Sequence, residues 1–573
     1  MNWSQVDVQL RAEIASKLGR QSPANDFPSV SDHLGSAVIR VLLCLMLAFS
    51  GKVPAADLPD FTNPILPGFN ADPSICRVGD DYYLVHSTFE YFPGVPIFQS
   101  RDLIHWKQVG HVLTRKSQLN LDKMYSSGGI FAPTIRHHDG KFYMITTLVG
   151  AGGGRGGNFY VTATNAAGPW SDPVWLDREG IDPSLFFDAD GKVYYTRQVD
   201  GERGYSGQQL LNLSTGKLEG ERKELWRGTG GVWPEGPHLY KVNGKYYLMI
   251  SEGGTSYDHM LTVARSDSPW GPFEPNPKNP ILTHRHLREN PFQALGHGDL
   301  VETPDGWWVV FLGFRPQGGR FHHLGRETFL APVTWENGWP VVNDGKPIPA
   351  SLPAPKLKPH PWLQESGRDE FDSTKLRLCW QFVRNPIEDN DSLTARPDWL
   401  RLHGTAVSLN DVDTPTFIGR PQTDFNCGAA AKLLFAPNTT NEEAGLVLRC
   451  NEKNHCEIVV TLRDGRRVVG LRKILDGKEA QPTAFREIPE GDVVLIIKAA
   501  PLSYEFFYQA SGGKETSLGT ARTRDLSTET LTAQKGAHFN FTGVFFGLFA
   551  TGNGQQNTAP ADFDWFEYQP QKP

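Results

Sequence analysis

Between residues 60 and 345 short apolar runs alternate with glycine- and aspartate-bearing turns, and one phrase returns five times. Asp72-Pro73-Ser74-Ile75 precedes Asp80-Asp81-Tyr82-Tyr83, and Ala132-Pro133-Thr134-Ile135 precedes Gly140-Lys141-Phe142-Tyr143. Asp182-Pro183-Ser184-Leu185, Glu235-Gly236-Pro237-His238-Leu239 and Gly298-Asp299-Leu300-Val301 are followed in the same way by aromatic runs at Tyr194, Tyr246-Tyr247 and Trp307-Trp308. Each copy reads as an apolar strand, a tight turn and an aromatic strand, which is a hairpin signal. A spacing of about 50 to 62 residues suggests blades, solenoid turns or an array. Radial repetition of small sheets is a propeller. A Pro- and Lys-containing stretch, 347–359, reads as an extended linker. Beyond it the runs 445–449 and 456–462 alternate apolar and polar residues without the repeat, which fits a β-sandwich. Asp369-Glu370-Phe371 and Asp562-Phe563-Asp564-Trp565-Phe566 are expected to pair as neighbouring strands. The predicted fold is all-β: a propeller over 60–345, a linker over 346–365 and a sandwich over 366–570.

Composition narrows the partners. A chain of 573 residues is too long for one core, so more than one domain is expected. With 58 glycines and 15 tryptophans it favours turn-rich β structure over helix, and its aromatic rings suit the apolar faces of sugars. The net charge of −7 supplies no basic field, so no nucleic-acid partner is expected. The apolar run 38–50, with Arg40 near its start and Val53-Pro54-Ala55-Ala56 after it, is too short for a transmembrane span and fits a secretory leader. Residues 1–56 are assigned to an N-terminal extension and signal peptide, with translation starting near Val38; a long leader or an N-terminal anchor is the alternative. The mature protein is expected to be secreted or periplasmic, free of the membrane once the signal is removed.

Three other patterns carry less. Of six cysteines, Cys44 falls in the leader, and Cys76, Cys379, Cys427, Cys450 and Cys456 lack metal-site spacing. Cys450 and Cys456 flank a polar turn, leaving a disulfide across a hairpin and buried free thiols as alternatives. Gly152-Gly153-Gly154-Arg155-Gly156-Gly157 imitates a nucleotide-binding loop, but a strand follows it rather than a helix, so it reads as a hairpin loop. Asp188-Ala189-Asp190-Gly191 imitates a calcium loop inside the repeated hairpin, where a type I′ turn accounts for it.

In three copies an acid stands at nearly the same place: Asp72, Asp182 and Glu235. Ala132 and Gly298 hold the matching places in the other two, so the fold itself does not require an acid there. An Asp before Pro is also an ordinary strand-entry residue, a reading that weakens when acids recur in register. Equivalent positions of a propeller gather round one axis, so the three are expected to share one volume. Inverting glycoside hydrolysis needs such a set: one ionised carboxylate to deprotonate water and one protonated carboxyl for the departing oxygen. A third acid nearby raises the pKa of the donor.

The segments 63–75, Ile181-Asp182-Pro183-Ser184, Trp233-Pro234-Glu235-Gly236-Pro237-His238 and Gly325-Arg326-Glu327-Thr328-Phe329-Leu330 resemble glycoside hydrolase family 43. Within it the likeness is to β-xylosidases and α-L-arabinofuranosidases with a C-terminal concanavalin A-like sandwich, and it covers residues 60–570. The resemblance implies a five-bladed propeller, Asp72 as general base, Glu235 as general acid and Asp182 tuning and orienting that acid. It implies that Arg326 hydrogen-bonds sugar hydroxyls in the innermost subsite, and that His297 stands on the central axis beside a water or calcium ion. Phe131 occupies a place where relatives often carry Trp, keeping an apolar wall without the indole N–H. Trp233 is expected in the pocket wall, and an aromatic from 539–541 or 545–546 is expected to lean over it from the sandwich. Trp106, Trp170 and Trp270 read as packing. No cofactor is required; a structural calcium has candidate places near His297 and at Asp369 with Asp564.

The expected activity is release of xylose, with inversion, from the non-reducing ends of xylo-oligosaccharides. α-L-Arabinofuranosidase action on arabinoxylan is the runner-up. Retaining fructan- or sucrose-cleaving propellers carry an Asn-Asp-Pro-Asn motif, which Asn70-Ala71-Asp72-Pro73-Ser74 breaks. A non-catalytic carbohydrate-binding propeller is the rival of another class, and three acids in register argue against it.

Overall fold

The structure, a computed structural model, describes residues 60–150, 156–200 and 203–571. The proposed leader and most of the glycine-rich loop lie outside them. Among the described residues no helix is long and apolar enough to cross a membrane.

Five antiparallel sheets, following one another along the chain, form the first half. Their first strands are Ser74–Val78, Gly129–His138, Ile181–Phe187, Glu235–Val242 and Gln293–Thr303. These strands pack against one another in cyclic order, the fifth returning to the first, so they line the axis of a five-bladed propeller. Asn-Gly and Asp-Gly turns close the hairpins: Asp139-Gly140 and Asn243-Gly244 have both residues at positive φ, as a type I′ turn requires. The turn at Asp188 departs from expectation. Asp190 is not at positive φ, and a three-residue loop ends on left-handed Gly191 while Asp190 Oδ1 accepts from Lys192 N. The carboxylate of Asp188 accepts from Lys241 Nζ at 2.8 Å and Tyr246 Oη at 2.5 Å, so its lone pairs serve a neighbouring blade.

Four of the inner strands bend at one level. Ladder registers slip between Phe131 and Thr134, Ile181 and Ser184, Glu235 and His238, and Gly296 and Asp299. The residue taking left-handed φ at the bend is Ala132, Asp182, Gly236 and His297, matched by Asp72 ahead of blade 1. Two sequence alignments therefore shift by one. The place equivalent to Asp72 is held in blade 5 by His297, not Gly298, and Glu235 lies one residue ahead of it in blade 4. Proline follows the bend in blades 1 to 4, whereas Gly298 replaces it in blade 5, which is what displaced the pattern there.

Just past the bends, Ser74, Thr134, Ser184, His238 and Asp299 form a polar layer across the axis. Asp299 is fully buried and gathers it. It accepts from Ser74 Oγ at 2.6 Å, Ile75 N at 3.0 Å, Tyr240 Oη at 2.7 Å and both terminal nitrogens of Arg136 at 2.7 and 3.1 Å. Four blades thus meet on one carboxylate. Ring closure is completed by Phe61–Thr62 pairing with Ser351–Leu352, and by the Asn63 amide bonding both backbone groups of Leu330. The linker is extended as expected but pinned to the propeller: Ile348 and Leu352 are buried, and Lys356 N and His360 N donate to Asp305 and Asp102.

The second half is a concanavalin A-like sandwich of two antiparallel sheets. Cys427–Leu434 and Asp492–Ala500 alternate buried and half-exposed residues, as a sheet with one wet face does. Glu443–Asn451 is buried almost throughout, because the other face of its sheet packs Val447 and Val459 against Phe69, Phe89 and Tyr91 of the propeller. Tyr91–Phe92, from blade 1, adds an edge strand to that sheet through Gln381–Val383. Arg368–Asp369 pairs with Ala561–Pro570 as expected. All five described cysteines are free: Cys456 stands opposite Leu448 rather than Cys450, whose Sγ donates to Leu526 O. Trp106 and Trp170 donate their indole N–H groups to Leu103 O and Ala166 O, and Trp170 and Trp270 pack against blade cores.

Asp299→Ala is expected to cost about 3–5 kcal/mol, because it strands the buried Arg136. Pairing Asp299→Leu with Arg136→Met should recover much of that loss. Guanidinium unfolding midpoints check both, and a single-variant loss under about 1 kcal/mol contradicts the hub.

Candidate active site

The bends aim side chains into one cavity of about 500 Å³ above the polar layer. Asp72, Asp182, Glu235, Arg326, His297, Phe131 and Trp233 all line it, so every sequence candidate for substrate or proton chemistry converges there. Asp72 and Asp182 are buried; Glu235, at the start of the blade 4 inner strand, is partly exposed. Phe539 and Phe541, one of the two expected aromatic pairs, complete the lining with Phe89, Ile181, Gly254, Thr255, Ser256 and His259, which sequence reasoning missed. The Gly253-Gly254 step after an apolar strand was the available signal for Thr255 and Ser256. His259 carried none.

The acids have unlike surroundings. Asp72 Oδ1 receives Arg326 Nη1 at 2.8 Å, and Oδ2 receives Ser87 Oγ at 2.6 Å. Burial opposes ionisation of Asp72, but the Arg326 cation, His297 and the Ser87 hydroxyl outweigh it and hold the carboxyl below its ordinary range. Arg326 is thus an ion-pair partner of Asp72, and Nη1 also reaches Thr255 Oγ1 at 3.2 Å. Among the described residues no cation pairs with Glu235. Burial, then the charge of Asp72, pushes its carboxyl up to about 7 against the pull of Arg326. Asp182 is raised as well, by burial and then by Glu235 and Asp72. Its Oδ2 accepts from Gly236 N at 3.2 Å, gripping the backbone beside Glu235.

His297 packs on this grip: a Cβ on Gly236 would lie 2.9 Å from His297 Nε2, so glycine is needed at the bend. Its backbone N–H is taken by Ser251 Oγ, and Nδ1 lies 3.7 Å from Asp72 Oδ1. Burial pushes the imidazoles of His297 and His259 below their ordinary value, the latter to about 3. The surroundings do not suit a calcium ion beside His297, since the nearest carboxylate, Asp72, is already paired to a guanidinium. Nor do Asp369 and Asp564 form a cage. Asp369 accepts from Trp380 Nε1 and Phe371 N, while Asp564 pairs with Lys432. Among the described residues no group of three or more His, Cys, Asp or Glu side chains gathers to hold a metal.

Aromatic rings form the walls. Phe541, from the sandwich, stacks on Phe89 at 5.3 Å and meets Phe131 edge-on at 5.6 Å, and its backbone N–H donates to Ser127 Oγ. Of the two candidate aromatic pairs, 539–541 therefore reaches the pocket, while Phe545 stacks on Tyr91 in the joint and Phe546 lies in the sandwich core. Trp233, 56% exposed and at φ 52°, stands at the mouth.

Residues 61–340 match the glycosyl hydrolases family 43 pattern, and 368–569 match the β-xylosidase C-terminal concanavalin A-like domain. A non-reducing end α-L-arabinofuranosidase of Bacteroides ovatus is 48% identical over 92% of this chain and 98% of its own length. The chain belongs to glycosyl hydrolase family 43. A second relative, the xylosidase/arabinosidase of Butyrivibrio fibrisolvens, is 42% identical over 88% of this chain and 98% of its own. The crystal structure of a xylan β-1,4-xylosidase from Bacillus halodurans superposes with a TM-score of 0.84 at 38% identity, covering 89% of this chain and 100% of that one. This family 43 glycoside hydrolase thus shares both halves with its relatives. Phe541→Ala, which removes the sandwich's ring from the wall, is expected to raise KM for a nitrophenyl pentoside on the order of tenfold. Steady-state kinetics check it; an unchanged KM places the ring outside the bound sugar's reach.

Proposed function

We propose that this chain is an inverting exo-glycosidase that removes single terminal pentoses, α-L-arabinofuranosyl and β-D-xylosyl residues alike. The observation that carries the reading is the opposed proton affinity of two acids in one cavity. Asp72, ionised beside Arg326, takes a proton from the water whose oxygen bonds to the anomeric carbon. Glu235, protonated, gives its proton to the glycosidic oxygen as that bond breaks. Asp182 orients the acid through Gly236 N, and its own displaced proton affinity keeps a second negative charge from forming beside it. Phe89, Phe131 and Phe541 enclose one sugar, and Trp233 offers the leaving group an indole face at the mouth. Xylo-oligosaccharide or arabinoxylan ends are the substrates this arrangement suits.

The names of the relatives bear on the order of preference. The sequence put β-xyloside first; likeness at 48% to an α-L-arabinofuranosidase favours the arabinofuranoside instead. We therefore expect kcat/KM to be higher on 4-nitrophenyl α-L-arabinofuranoside than on the β-D-xylopyranoside, with both measurable, and parallel assays decide the order. Proton NMR of the first product should show the inverted anomer; retention rules out the mechanism.

Activity should follow a bell in pH. It rises as Asp72 deprotonates, below the usual carboxylate range, and falls as pH climbs through about 7 and Glu235 loses its proton. Glu235→Ala should lose about 10²–10⁴-fold on unactivated pentosides and far less on dinitrophenyl ones, and should lose the alkaline limb.

A further inference from the structure

The loop that carries Trp233 and Glu235 closes round a buried carboxylate that the reaction does not use. Glu252, the last residue of Lys245–Glu252 in blade 4, is fully buried. Its Oε1 accepts from Thr229 N at 2.9 Å, Thr229 Oγ1 at 3.0 Å and Thr262 Oγ1 at 2.6 Å. Its Oε2 accepts from Gly231 N at 2.8 Å and Thr229 N at 3.0 Å. Among the described residues it has no ion-pair partner. Burying a carboxylate among neutral donors is costly, so its place needs a reason.

The other blades supply a comparison. Ladder register puts Leu148, Val199 and Gly313 at the place of Glu252 in blades 2, 3 and 5, so the propeller is built without an acid there. What blade 4 alone has is the segment 228–235. A Cβ on Gly228 would lie 2.5 Å from the Glu252 carboxyl carbon, and one on Gly231 would lie 2.8 Å from Glu252 Cβ and 2.9 Å from Met260 Cε. The loop therefore wraps Glu252 as closely as backbone allows. Past the clamp, Gly253 N donates to Val232 O at 2.9 Å, and the Trp233 ring lies over Gly254. Glu235 itself makes no side-chain hydrogen bond among the described residues. Its aim is set by backbone: Gly236 N on Asp182 behind it, and the clamped loop ahead of it.

We propose that Glu252 is a positioning residue for proton donation, fixing the loop so that Glu235 meets the glycosidic oxygen and Trp233 meets the leaving group. The inference rests on Glu235 being the proton donor. A displaced acid matters in proportion to how much the leaving group needs a proton, so the test compares methyl and 2,4-dinitrophenyl pentosides of one sugar. Glu252→Ala is expected to lose kcat about 10- to 100-fold on the methyl pentoside and to stay within about threefold on the dinitrophenyl one, with a weakened alkaline limb. Glu252→Gln should restore most of the loss, its oxygen accepting from Gly231 N and Thr229 N while its NH₂ faces two hydroxyls that turn to accept. Equal losses on both substrates, or none, overturn the proposal by leaving a packing role. Should Glu252→Ala not fold, Gly231→Ala, whose methyl would press on Glu252 Cβ and Oε2 and push the loop off while the carboxylate is kept, must show the same skew; its absence overturns the proposal equally. Glu235→Ala is the reference. If it shows no skew, the acid assignment falls and this inference with it; skew there but not at Glu252 sinks the clamp alone.

Discussion

Five strands meeting at one axis cannot each run straight, because successive side chains would compete for the same narrow space. Four yield at the same level by a bulge with a left-handed residue and the first by left-handed Asp72 just ahead of its strand, and everything catalytic hangs on where that bend falls. Above it, Asp72, Asp182 and His297 turn outward into a cavity. Below it, the next side chains turn inward and must satisfy one another without water, which Asp299 achieves by accepting from three other blades. Floor and site are two consequences of one backbone constraint. A left-handed Asp or His is strained where Gly is not, and such strain at a working position is held by the packed layer beneath it.

The same geometry separates the protonation of chemically similar groups. Burial raises all three acids, and only a local counter-charge decides which stays ionised. Arg326 reaches Asp72 from the start of the third blade 5 strand, with Ser87 on the other oxygen, and among the described residues no cation pairs with Glu235. Two carboxyls in one cavity therefore hold opposite protonation because of their neighbours rather than because one is Asp and the other Glu.

How much was legible follows from this. The repeat was plain because Asp-Gly and Asn-Gly turns and aromatic second strands are local signals. Asp72 and Asp182 were plain because Pro73 and Pro183 mark the bend. Where Pro gives way to Gly at 298, the alignment slipped and His297 lost its equivalence to the acids. The runs at 445–449 and 456–462 were read as half-wet, and they are buried because another half of the chain covers them. Glu252 and His259 were invisible: each matters through contacts made across a sheet, with no recurring neighbour in sequence. The ranking of Phe541 over Phe545 also needed the joint between halves.

That joint has a bearing on how such chains can be rearranged. Tyr91–Phe92 leaves blade 1 to finish the edge of the sandwich's sheet, and Phe541 returns to finish the wall of the pocket. Each half thus holds a piece of the other, so the proline-rich crossing near residue 350 is a poor place to cut or recombine. Severing the chain there would bare an unpaired sheet edge and an oily face together, inviting self-association. Evolution of new sugar preference in this architecture must then proceed by coordinated drift in both halves rather than by shuffling one against another.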